Sequence, residues 1–174
     1  MTHRCCIVVL LCVGASGLCA QETNTSPHAH HMATSNMIDG AVHPERIPDS
    51  TAHRLFFLAH SVSPGASEDE KMRQNAHLRR IGLSEDDHKT LVLVLADFKV
   101  QYQAFMDRWN EAAMSALAKN QPFNATEFLR QRDALVQSTR NALASALTQD
   151  GYNLLRLHIN AQKSKMKVNP GEAQ

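Results

Sequence analysis

From residue 84 onward the apolar residues fall at steps of three and four, the spacing that keeps them on one face of an α-helix. Ser84-Glu85-Asp86-Asp87 opens the longest run, and its three carboxylates suit the positive end of a helix dipole. Behind it come Leu91, Val92, Leu95, Phe98, Tyr102, Phe105, Met106, Trp109, Ala112, Ala113 and Leu117. Unbroken to Lys119, such a helix is roughly 50 Å long. Asn120-Gln121-Pro122-Phe123 turns the chain. Asn124 caps the next helix, with Glu127 placed to complete a capping box. Phe128, Leu135, Val136, Thr139, Leu143 and Ala146 form its apolar stripe. Thr148 caps a last helix carrying Tyr152, Leu155, Ile159 and Met166. Lys163, Lys165 and Lys167 fall in its final turns, where cations suit the dipole, and Asn169-Pro170-Gly171 stops it.

The same pattern reads upstream. Residues 38–48 mix Ile38, Val42 and Ile47 with Gly40, Pro44 and Pro48, which predicts irregular chain packed through the three apolar residues. Asp49 is placed to cap a helix of about residues 50–61, whose payload is Leu55, Phe56, Phe57 and Leu58. Ser63-Pro64-Gly65 breaks it. Ser67 and Glu70 form a capping box for a polar helix reaching about Arg80, and Gly82 ends that helix in the left-handed conformation. One-sided helices must pack on one another. The fold class is therefore all-α: a long antiparallel helical hairpin or bundle over residues 38–168, with short N-terminal helices covering one end and a tail at 169–174.

The first twenty residues change the picture. A basic start, Met1-Thr2-His3-Arg4, precedes an apolar run and the small residue Ala20, the layout of a secretory signal peptide. The run is shorter than the roughly 20 residues that a spanning helix needs. All four cysteines, Cys5, Cys6, Cys12 and Cys19, lie within these first twenty residues. Cleavage after Ala20 leaves a thiol-free protein, without disulfides, thiolate metal sites or cysteine nucleophiles, and without an integral membrane segment. Residues 21–37 are polar and read as a disordered, histidine-containing linker. The signal contains one charged residue, Arg4, so the mature chain carries 18 − 1 = 17 Lys+Arg against 17 Asp+Glu. A net charge of zero lacks the long-range field that draws proteins to nucleic acid.

Candidate chemistry is sparse. His28, His30, His31 and Met32 place three imidazoles and a thioether within five residues, a donor set for copper, nickel or zinc. His53 and His60 share a helix face at a spacing too wide for one metal; with His77 they are the histidines a cleft could use. Glu85-x-x-His88 has the spacing used in di-iron bundles, but no second such motif accompanies it, and helix capping explains the acid. No phosphate loop, His-Glu-x-x-His or Gly-x-Ser-x-Gly is present. No cofactor is called for. Tyr102, Phe105, Met106 and Trp109, near the turn of the hairpin, are the candidate partner-binding residues.

Two resemblances bear on function. Ile38-Asp39-Gly40, Pro44-Glu45-Arg46-Ile47-Pro48-Asp49 and Leu55-Phe56-Phe57, with Leu83-Ser84 and Met166-Lys167-Val168, resemble segments of uncharacterised secreted helical proteins of soil bacteria. That likeness implies a periplasmic setting and no particular activity. Leu83-Ser84 and Leu147-Thr148 share the Leu and Ser/Thr positions of the Leu-Thr-x-x-Gln helix starts of Spy/CpxP-type periplasmic chaperones, and lack the glutamine. This second resemblance implies an apolar groove that receives unfolded proteins. The expectation is an exported, secreted or periplasmic, non-enzymatic interaction protein, chaperone-like or an envelope-stress adaptor, with unfolded or envelope proteins or a second copy of itself as partners. The alternative is a periplasmic metal-binding protein using the N-terminal histidines.

Overall fold

Serine, asparagine and threonine side chains start four of the five helices that the described residues form: Ser67, Ser84, Asn124 and Thr148. Each accepts a hydrogen bond from an otherwise unpaired amide of its helix's first turn, which is why these residue types open helices. The computed structural model describes residues 37–169. Residues 1–36 and 170–174 lie outside the described residues, and with them the segment read as a signal peptide, all of the expected linker but Met37 (His28, His30, His31 and Met32 included), and all of the expected tail but Asn169.

The element order is β1 (Ile38–Asp39), α1 (Asp49–His60), α2 (Glu68–Leu78), α3 (Glu85–Ala118), α4 (Ala125–Ala146), α5 (Gln149–Gln162) and β2 (Lys167–Val168). Short 3-10 turns lie at Pro44–Arg46, Arg79–Ile81 and Lys163–Lys165. The fold is all-α, as the periodicity predicts. Among the described residues no helix is long and apolar enough to cross a membrane.

α1 is the hub, packing on α3, α4 and α5, while α3 and α4 form an antiparallel hairpin. Phe56 and Phe57 of α1 meet Leu91, Leu95 and Phe98 of α3, Val136 and Leu143 of α4, and Leu155 and Ile159 of α5 in one core. Ile38, Ile47 and Val168 close it from the chain ends. Helix lengths decide what this core covers. α3 has 34 residues, about 51 Å at 1.5 Å per residue. α1 has 12, about 18 Å. The head, the part of the fold built around this core, therefore encloses α3 only as far as Phe98 and the neighbouring Tyr102. Beyond that, α4 is the helix that packs along α3, with the Ser63-Pro64 loop near Gln103, Ala104 and Asp107.

The turn at the far end is a Schellman cap. Gln121 N–H donates to Ala116 O at 2.8 Å and Asn120 N–H to Leu117 O at 3.1 Å, with Asn120 at φ 50°. Asparagine tolerates that left-handed conformation better than other non-glycine residues. Gly82, at φ 81°, ends the turn after α2 in the same way.

Several sequence expectations are corrected. Asp49 does not cap α1; it is the first helical residue, and its carboxylate pairs with Lys163 across the fold. Glu127 does not complete its box, because Arg130 and Gln131 take its carboxylate, at 2.8–3.0 Å. Val42 is exposed, and so are Ala146 and Leu117. The last helix ends at Gln162, so Lys163 and Lys165 lie in a 3-10 turn and Lys167 in a strand. That strand pairs antiparallel with β1, Ile38 opposite Val168 and Asp39 opposite Lys167. Two residues are too few to show an alternation.

Candidate functional site

The chain is poor in aromatic residues, with six Phe, two Tyr and one Trp, yet it gathers all but Tyr152 into a single succession of rings. Phe56 and Phe57 stand 6.2 Å apart in the core, and Phe57 meets Phe98 at 5.2 Å. Along α3, Phe98 meets Tyr102 at 5.5 Å, Tyr102 meets Phe105 at 5.7 Å, and Phe105 meets Trp109 at 6.2 Å. Trp109 then stands edge-on to Phe123 at 5.0 Å and to Phe128 at 5.3 Å, and Phe123 stacks on Phe128 at 5.3 Å. Separations of this size are those at which edge-to-face and offset pairs attract, by about 0.5–1.5 kcal/mol each beyond the area they bury.

Helix periodicity explains the succession. Positions 98, 102, 105 and 109 are four and three apart, so they line one edge of α3. Phe128 reaches them from the first turns of α4, and Phe123 from the turn. The result is a satellite cluster outside the head, holding together a hairpin that has no third helix to lean on.

This arrangement sorts the four candidate partner-binding residues. Phe105 is only 3% exposed and belongs to the hairpin's interior. Tyr102, Met106 and Trp109 are half-buried. Farther along α3 two apolar side chains face solvent: Met114 is 65% exposed and Leu117 73%. Leu117 continues the three-and-four spacing, but 3.6 residues per turn carries it about 100° round the helix from Phe98. The partners it would need on α4 are also missing, since the chain is already turning there. Phe123 reads in sequence only as part of a turn. Its proximity to the last α3 aromatic was the available signal.

A groove of about 380 Å³ runs between the hairpin helices, lined by Gln101, Ala104, Phe105, Arg108, Gln131, Ala134, Leu135 and Ser138. Arg108 is its one ionisable side chain, so the groove offers shape and hydrogen bonds without a general acid–base pair. Glu127 carries the hairpin's most shifted carboxyl, held at about 2 first by hydrogen bonds from Arg130 and then from Gln131.

The histidines of interest elsewhere are in the head. His53 is buried and its Nδ1 lies 2.6 Å from Asp49 O. His88 is buried with Nε2 3.2 Å from Asn75 Oδ1, and Glu85, its partner in the Glu-x-x-His, turns instead to Arg79 at 3.4 Å. Among the described residues no three His, Cys, Asp or Glu side chains are placed to hold a metal ion. No protein-family model, curated protein or solved structure matches this chain.

Proposed function

We propose that this is an exported, non-enzymatic interaction protein that receives an apolar segment of an unfolded or envelope protein at the far end of the α3–α4 hairpin. The observation that carries the reading is where the aromatic succession stops. Half-buried Trp109 and Phe123 lie at a free hairpin end that also carries exposed Met114 and Leu117. An apolar surface of this kind, left open at the end of a two-helix projection, is more useful for contact than for stability. Methionine adds adaptability, since its unbranched thioether conforms to varied surfaces. Export rests on the signal-like first twenty residues, and the zero net charge of the chain after them suits an apolar partner better than a polyanion.

The test uses the folded protein at neutral pH, with a hydrophobic dye and an aggregation-prone client. The wild type is expected to bind the dye and to delay aggregation. The double variant Met114→Lys, Leu117→Lys should lose at least half of both effects while its helical circular dichroism is unchanged. A fully folded wild type that neither binds dye nor slows aggregation overturns the reading.

A further inference from the structure

Helices α1 and α5 each bring a histidine to the edge of Phe56, and α2 brings the exposed His77 beside the first of them. His60 closes α1, His77 lies in the last turn of α2, and His158 lies on α5. The His60 ring stands 4.6 Å from Phe56 and 5.9 Å from the His77 ring, and His158 stands 6.1 Å from Phe56. This is also one of the places where α2 is attached to the rest of the fold, the Asn75–His88 contact with α3 being another. α2 buries only Gln74 and Leu78. Gln74 Nε2 donates to the backbone carbonyl of His60 itself, at 2.6 Å. An element with so little apolar contact belongs to the low-stability end of a structure.

The charges around the cluster are one-sided. On α2 the same-face neighbours of His77 at three and four residues are Arg73, Gln74, Arg80 and Ile81. The corresponding neighbours of His60 within α1 are Phe56 and Phe57, and those of His158 are Leu154, Leu155, Ala161 and Gln162. Lys165, from the turn after α5, acts on His158. Farther along α1 lie buried His53 and Arg54, Arg156 is on α5, and α3 contributes buried His88, which meets Asn75 of α2. The acids of α2 are at its other end, where Glu70 is held by Ser67, and Glu70 and Lys99 line the separate hollow beside Ser61.

We propose that α2 is an acid-sensitive flap: protonation of the His60–His77–His158 cluster drives α2 off α1 and uncovers the Phe56 side of the core. Imidazoles change charge in the range of mildly acidic surroundings, and the same-face helix neighbours of all three rings include no carboxylate. Burial first, then His77 and His158, hold the His60 imidazole below its ordinary value. Burial, then Lys165, does the same for His158. Among the described residues no group of three His, Cys, Asp or Glu is placed to hold a metal ion.

Hydrogen exchange on the full chain, read by mass spectrometry at about pH 7.5 and about pH 5 and corrected for intrinsic exchange rates, tests this. Peptides of α2 are expected to lose protection at least about tenfold more than peptides of α3 on acidification. In His77→Gln, His158→Gln a lone His60 protonates without repulsion, and α2 should stay protected. Equal loss of protection in α2 and α3, or an α2 that opens in the double variant as in the wild type, overturns the proposal. Should the double variant fail to fold at neutral pH, the wild-type comparison of α2 with α3 decides alone.

Discussion

At the scale of single residues the most connected side chain is Asp87. Its own amide donates to Ser84 Oγ at 3.1 Å, capping α3, while its carboxylate accepts from Thr148 Oγ1 at 2.6 Å and from Thr148 N–H at 2.8 Å. Thr148 Oγ1 in turn accepts from Gly151 N–H at 3.1 Å, capping α5. Asp87 and Thr148 are 61 residues apart in sequence, and two helix starts are thus locked by one carboxylate. Gly151 is what lets them approach, because a Cβ there would run into the Asp87 carboxylate. Hydrogen bonds to a charged, buried group contribute about 1.5–3 kcal/mol, so Asp87→Ala should lower unfolding stability by about that much in urea denaturation at neutral pH. Gly151→Ala should cost about 1–3 kcal/mol by crowding. Hydrogen bonds, first from the Thr148 hydroxyl and then from its amide, hold the Asp87 carboxyl below its ordinary value. The sign follows: the folded state binds the proton less tightly than the unfolded chain, so this stabilisation is present above about pH 4 and fades below it. The gap between wild type and Asp87→Ala should narrow in acid; a gap that widens there would mean that the carboxylate is not what joins the helices.

At the scale of elements, the caps were the most legible part of the sequence. Ser67, Ser84, Asn124 and Thr148 all open helices where their side chains predict. Ser67→Ala should cost about 1 kcal/mol, seen as faster hydrogen exchange in α2 with α3 unchanged, since the box closes on α2 alone. The core face was legible too, because Leu91, Leu95 and Phe98 sit at three-and-four steps where α1 covers them. Legibility failed where a neighbour, rather than a pattern, decides. Leu117 and Ala146 keep the helical spacing and still face solvent, because nothing packs over either. Arg132, between Phe128 and Val136 on the same stripe, is buried although charged, with its guanidinium turned to Asp133. A long aliphatic stem covers apolar surface while its head reaches a partner, which a polar-or-apolar alphabet does not record. The candidate site was half legible: the α3 aromatics were readable from their spacing, while Phe123 and the exposure of Met114 were not. The contrast is measurable. Leu91→Ala should cost about 2–5 kcal/mol. Met114→Lys and Leu117→Lys should each stay within about 0.5 kcal/mol of wild type in the same denaturation experiment.

At the scale of the whole molecule, these groups give stability an asymmetric dependence on pH. His53, His60 and His158 are all held below the ordinary imidazole value, in each case first by burial. A folded state that takes up fewer protons than the unfolded chain is fully favoured above about pH 6.5 and loses stability as pH falls toward the folded values. The carboxyls of Asp49, held down first by Lys163, and of Asp87, held down first by Thr148, add a second loss. That loss begins only below about pH 4. The urea midpoint of the full chain should therefore be level between about pH 8 and pH 7, fall by about pH 5, and fall again below about pH 4. Substituting His53 separates the global effect from the flap. His53 sits between Asp49 O and the Phe57 ring, away from α2, so His53→Gln should flatten part of the first fall while leaving acid exchange in α2 intact. Conversely, His77→Gln, His158→Gln should protect α2 and leave the contribution of His53 to the midpoint in place. A midpoint that rises between about pH 7 and pH 5 would contradict the burial of neutral imidazoles on which both effects depend.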